Sequence, residues 1–214
     1  MPLPGPKKMK IKLEKGVLIV LEGIDGAGKT TQALNLTSRL KDLGYPAVYF
    51  REPTRGRWGR EIRKKALLPD SVTPQQELDL FEKDRRENVA CNLKPALKAK
   101  KVIILDRYYF STMAYQGAKG INPGRIRREN ERFAPPADLV FILDVGARRG
   151  LARIAGRKKK DWLFERERYL GRVRAIFRSL KGRKFIAVDA SRPIEQVEDL
   201  ITSGVLNYLK KLSG

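Results

Sequence analysis

The stretch Gly23-Ile-Asp-Gly-Ala-Gly-Lys-Thr30 limits what this chain can fold into more than any other part of it. An apolar run, Val17–Leu21, precedes it and an amphipathic stretch from Lys29 to Leu43 follows, so the glycines fall at a strand-to-helix turn. Glycines there let main-chain N–H groups face inward around a phosphate, and the helix that follows adds its positive end. Gly23, Asp25, Gly26, Ala27, Gly28, Lys29, Thr30 and Thr31 are therefore the candidate phosphate cradle. Lys29 is placed to reach the β- and γ-phosphates as a point charge, and the Thr30 hydroxyl to ligate Mg2+.

A strand buried on both faces needs a sheet around it, and the rest of the chain supplies one. Val17–Glu22 lacks polar alternation, as do Val102–Leu105 and the apolar centre of Asp138–Val145. Ala47–Phe50 and Phe185–Val188 read as two further strands. Helices are expected over Lys29–Leu43, closed by Gly44 and Pro46, and after Thr73-Pro74-Gln75-Gln76, which spells a capping threonine, a first-turn proline and a box-closing glutamine. Others start near Arg148, run through Leu180, and close the chain from about Pro193 to Leu212. The expected fold is α/β: a three-layer doubly wound sandwich around a five-stranded parallel sheet with P-loop NTPase topology, binding its ligands at the carboxyl ends of the strands. One domain, residues 16–214, would follow a basic extension at 1–15 and carry a basic lid at about 148–161.

Composition then removes chemistries. The absence of histidine excludes Ser-His-Asp and Cys-His catalysis and His-ligated zinc. Cys91 is the sole cysteine, so no disulfide forms within the chain. Any metal must be held by oxygen, which points to magnesium or calcium. No apolar run is long enough to span a membrane and residues 1–16 do not resemble a secretory signal, so a cytoplasmic protein is expected. With 46 Lys plus Arg against 24 Asp plus Glu, the formal charge of +22 attracts nucleotides, nucleic acid or acidic surfaces alike.

Two more segments carry chemistry. Asp106, delivered by the Val102–Leu105 strand, suits either a magnesium–water ligand or a helix cap, and Arg107 beside it either a solvated charge or a guanidinium clamp on phosphate. The run Arg148–Lys160 contains Arg148, Arg149, Arg153, Arg157 and three lysines with no acid. It suits a closing loop that brings arginine to a transferring phosphoryl group, or a patch for nucleic acid.

Leu21-Glu-Gly-Ile-Asp-Gly-Ala-Gly-Lys-Thr-Thr-Gln32, Arg51-Glu-Pro53, Phe81 with Asp84-Arg85, Asp106-Arg-Tyr-Tyr-Phe-Ser-Thr-Met-Ala-Tyr-Gln-Gly117 and Asp138-Leu-Val-Phe-Ile-Leu-Asp-Val145 together resemble the thymidylate kinase family, in order, from about Val17 to the last helix. The resemblance implies that ATP phosphorylates dTMP with Mg2+ in a homodimer. It implies that Asp25 holds the acceptor's 3′-hydroxyl and helps organise the metal with Thr30 and Asp106. Phe81 then stacks on thymine, Arg85 bonds the base edge, and Arg107 grips the acceptor phosphate. Ser111, Thr112 and Gln116 lie in the base-binding segment, and Tyr115 packs under the deoxyribose. Gly26 stands where some members carry a loop arginine, so catalytic arginine is expected from the lid, as Arg153 or Arg157, with Arg153 the better match.

The chain departs from the family after Pro53, where Thr54-Arg-Gly-Arg-Trp58-Gly59 replaces a glycine pair and threonine. A Glu-Pro followed closely by tryptophan also resembles deoxynucleoside kinases, in which such a glutamate is a general base. Glu52 is read here as positioning Arg107 or the acceptor site, because a monophosphate acceptor is already anionic and needs no base. A deoxynucleoside kinase using Glu52 and a nucleic-acid-binding P-loop ATPase remain the alternatives.

Overall fold

Val17–Glu22, strand β1, is buried along its whole length and lies mid-sheet. The computed structural model describes residues 11–68, 72–154 and 160–212, with the backbone alone for 160–164. Strands β2 (Ala47–Arg51), β3 (Val102–Asp106), β4 (Leu139–Asp144) and β5 (Phe185–Asp189) join β1 in the order β2-β3-β1-β4-β5, every pair parallel. The central strands are covered on both faces, which explains their unbroken apolar runs. The edge strands β2 and β5 are only half-buried.

Helix α1 (Lys29–Asp42) begins at Gly28, whose left-handed φ of 89° supplies the turn without a side-chain cap. Helix α2 (Arg57–Ala66) begins within the segment after Pro53 that departs from the resembled pattern. Helix α3 (Pro74–Asn88) opens on the expected box: Thr73 Oγ1 accepts from the Gln76 amide at 3.2 Å and Gln76 Oε1 from the Thr73 amide at 2.8 Å. It runs into a π-helical turn at Val89–Leu93 and the short α4 (Lys94–Lys98). Helix α5 (Tyr109–Gly117) and α6 (Pro123–Glu131, capped by Asn122) follow β3, while α7 (Ala147–Ile154), α8 (Lys160–Ser179) and α9 (Ile194–Leu212) complete the order.

The helices bury their apolar stripes on the sheet, with Leu36 and Leu40 of α1, Leu170, Val173 and Phe177 of α8, and Val205 and Leu209 of α9 all closed to solvent. The packed chain starts before Gly16: Leu13 is buried in the core, and the Ile11 amide donates to the Gly44 carbonyl. Cys91 is exposed.

Candidate active site

Strands β1 and β3 are hydrogen-bonded neighbours, with Leu21 opposite Asp106, so the loops that leave them start side by side. The loop after β1 wraps tightly, its Ala27 amide donating to the Ile24 carbonyl at 3.2 Å. Gly26 has φ 80°, and a Cβ there would lie 2.0 Å from the Gly150 carbonyl oxygen. Helix α7 thus rests directly on the loop, in the volume a larger loop residue would fill. From that helix Arg153 donates to the carbonyls of Gly26 at 3.2 Å and Ala190 at 3.1 Å. Arg157 lies outside the described residues.

Lys29 is buried and folds back to donate to the Ile24 carbonyl at 2.8 Å. Burial, with Arg107 adding repulsion, pulls its pKa down to about 7. Thr31 is exposed on the first turn of α1. Thr30 Oγ1 donates to Asp106 Oδ2 at 2.6 Å, joining two of the three residues expected at a metal. Asp106 Oδ1 is buried with no hydrogen-bond partner among the described residues. A hydroxyl and a carboxylate with one oxygen free, beside a phosphate cradle, fit a hard divalent cation. Asp25, the third, is engaged elsewhere, by Arg107 and by Arg166 at 3.6 Å. Among the described residues no cluster of three carboxylates, cysteines or histidines could hold a metal alone, so phosphate and water would complete the shell.

Beyond Asp25 opens a cavity of about 240 Å3 lined by Asp25, Pro53, Ile62, Ala66, Glu77, Phe81, Arg107, Ser111, Thr112, Tyr115, Gln116 and Tyr169. A second chamber of about 490 Å3 adjoins it, sharing Ile62, Ala66, Glu77, Tyr115 and Tyr169 and adding Arg166. Phe81 of α3 therefore meets Ser111, Thr112, Tyr115 and Gln116 of α5 around one space. Gln116 donates to Glu77 at 2.9 Å, and its buried Oε1 has no partner among the described residues. Arg107 sits at the mouth with a left-handed φ of 72°. It donates to Asp25 and, at 3.2 Å, to Ser111 Oγ, its guanidinium 5.3 Å from the Tyr115 ring centroid.

Glu52 and Arg85 take places the sequence did not indicate. Glu52 does not touch Arg107. Its carboxylate accepts from Arg85 Nε at 2.8 Å and Asn88 Nδ2 at 3.0 Å, because the end of β2 faces α3 rather than the mouth. Burial raises its pKa despite Arg85, and with both oxygens bonded it offers no face to a nucleoside hydroxyl. Arg85 is 1% exposed and lies beneath the cavity, also donating to Asn130 Oδ1 at 2.7 Å and Thr112 Oγ1 at 2.9 Å. It meets the cavity through Thr112.

The segment after Pro53 is held by Asp84, which accepts from the Thr54 amide at 2.9 Å and its hydroxyl at 2.6 Å. Arg166 and Tyr169 of α8 also belong to the site, although the sequence reading passed over them. Tyr169 donates to the Tyr115 carbonyl at 3.0 Å. Their signal was present: Arg166 precedes Leu170, Val173 and Phe177 at i, i+4, i+7 and i+11, on the inward stripe of the helix.

Known proteins resemble this chain in sequence along nearly its whole length. The family model described as thymidylate kinase matches residues 21–201. A probable thymidylate kinase of Archaeoglobus fulgidus is 39% identical over 193 residues, 90% of this chain and 96% of that protein. A thymidylate kinase of Akkermansia muciniphila is 44% identical over 183 residues, covering 86% and 88%. One of Brachyspira hyodysenteriae is 40% identical over 197 residues, covering 92% and 95%.

Proposed function

We propose that this chain, which belongs to the thymidylate kinase family, makes dTDP and ADP from dTMP and ATP with the donor's phosphates in the Gly23–Thr30 loop and the acceptor in the cavity beside Tyr115. The observation that carries this arrangement is Arg107, one guanidinium that touches both the loop, at Asp25, and the cavity, at Ser111. A dianionic phosphate entering the mouth meets that guanidinium first, and a bidentate grip orients one oxygen toward the donor. That oxygen forms the new P–O bond as the bond between the β–γ bridging oxygen and the γ-phosphorus breaks, releasing ADP. Alignment and charge neutralisation suffice, since the acceptor has no proton to lose.

The remaining side chains take graded roles. Asp25, held between Arg107 and Arg166, faces the acceptor's 3′-hydroxyl. Phe81 stacks on the base, and Arg85 supports the base edge through Thr112. Tyr115 packs under the deoxyribose and Gln116 offers its free Oε1. Arg153 is the lid arginine, since its guanidinium already reaches the loop. Thr30 and Asp106 would hold Mg2+, which when bound shields the donor's phosphate charge. The chain acts as a cytoplasmic homodimer, as its family resemblance implies. No helix among the described residues is long and apolar enough to cross a membrane.

An acceptor screen tests the assignment. With ATP and Mg2+, ADP release on dTMP is expected to exceed that on thymidine by orders of magnitude, and EDTA is expected to stop it. The opposite acceptor preference would return Glu52 to the role of base. Sedimentation should give twice the chain mass of 24.4 kDa.

A further inference from the structure

Glu22 ends β1 with a carboxylate wholly closed to solvent, reached by no ammonium or guanidinium within ion-pair distance among the described residues. An unpaired carboxylate in that position is costly unless its lone pairs are filled, and these are. Oε1 accepts the amides of Tyr108 at 2.7 Å and Ser111 at 3.0 Å, and Oε2 accepts the Ser111 hydroxyl at 2.5 Å. The two amides flank the first turn of α5, so Glu22 caps that helix from another strand. Tyr108 also follows Arg107, whose left-handed φ of 72° an arginine does not adopt without being held. The Arg107 amide is tied to the Leu21 carbonyl at 3.1 Å, so both sides of the strained residue are anchored to the last two residues of β1.

The hydroxyl between them sets a direction. Because Ser111 donates its proton to Glu22, its lone pairs face Arg107, which donates to them at 3.2 Å. We propose that Glu22 is a positioning residue for the acceptor: through the Tyr108 amide and the Ser111 hydroxyl it fixes Arg107 in the pose that receives the acceptor's phosphate. The inference rests on the assignment of Arg107 to that phosphate. A carboxylate is needed because glutamine keeps an acceptor for the two amides but turns an N–H donor toward Ser111, so that Glu22→Gln leaves Ser111 between two donors.

Steady-state kinetics of Glu22→Gln separates positioning from mere support of the fold. The expected result is a KM for dTMP raised roughly tenfold, about the worth of one charge-assisted hydrogen bond. The KM for ATP should stay within about twofold, and the melting temperature within a few degrees. In an Arg107→Ala background the same substitution should have no further effect on dTMP. A change shared equally by both substrates, a change confined to melting temperature, or additivity with Arg107→Ala would overturn the inference. If Arg107→Ala raises the KM for dTMP and Glu22→Gln does not, the inference alone fails; if Arg107→Ala does not raise it either, the assignment of Arg107 fails with it. Should Glu22→Gln not fold, Ser111→Ala must give the same dTMP-selective, Arg107-dependent effect, and its failure to do so overturns the inference.

Discussion

Glu22 ends β1 and Glu52 follows β2, with β3 between those strands; each is sealed from water, but their partners give them opposite consequences. Glu52 and Arg85 form an ion pair with side chains 3% and 1% exposed. Removing one partner strands a charge in a medium that cannot solvate it, so Glu52→Ala is expected to cost about 3–5 kcal/mol in urea unfolding. The kcat of the folded remainder should fall less than tenfold; a loss of a thousandfold with stability intact would place Glu52 in the chemistry. Glu22 has hydrogen bonds but no ion pair among the described residues, and burial pushes its carboxyl up to about 7 from an ordinary 4.5. A carboxyl whose folded pKa is raised binds its proton more tightly when folded, so its contribution to stability is full below 4.5 and lost as pH rises toward 7. Relative to wild type, Glu22→Gln should therefore flatten the dependence of unfolding free energy on pH across that interval.

At the scale of elements, the seat of α7 on the phosphate loop is the most sensitive contact. A methyl at Gly26 would meet the Gly150 carbonyl at 2.0 Å, so Gly26→Ala must lift α7 and carry Arg153 away from the loop. Turnover should drop by about a hundredfold, because misplacing the proposed catalytic charge by an ångström costs that much, and the melting temperature should fall as well, because alanine is strained at a φ of 80°. The strands and long helices were legible because their signals are local: unbroken apolar runs, the Thr73 box, the glycines of the first loop. Helices α2 and α5 were not marked out. The basic, tryptophan-containing α2 is fixed by Asp84 clamping Thr54, a contact thirty residues apart. The cavity residues Phe81, Ser111 and Tyr115 were readable through family pattern. The inward turn of Glu52 and Arg85 was not, since a charged residue gives no sign in sequence that a partner 33 residues away will bury it.

For the whole molecule, a charge of +22 makes every approach of a nucleotide an electrostatic event. Raising ionic strength is expected to lower kcat/KM for dTMP while leaving kcat nearly unchanged, because screening slows encounter and not alignment. A kcat that fell in parallel would mean that salt disturbs the bound state instead. The same charge should retain DNA loosely at low salt, without sequence preference, and release it steeply as salt rises. Inside that diffuse field the spacing of the two substrates is set by something far stiffer. The loop proposed for the donor leaves β1 and the arginine proposed for the acceptor leaves β3, strands joined by a ladder of main-chain hydrogen bonds with Leu21 abreast of Asp106. Adjacent strands stand about 4.8 Å apart whatever their side chains. The sheet thus serves as a ruler between giver and receiver, graduated in peptide bonds, and mutation can redecorate its ends without changing its length.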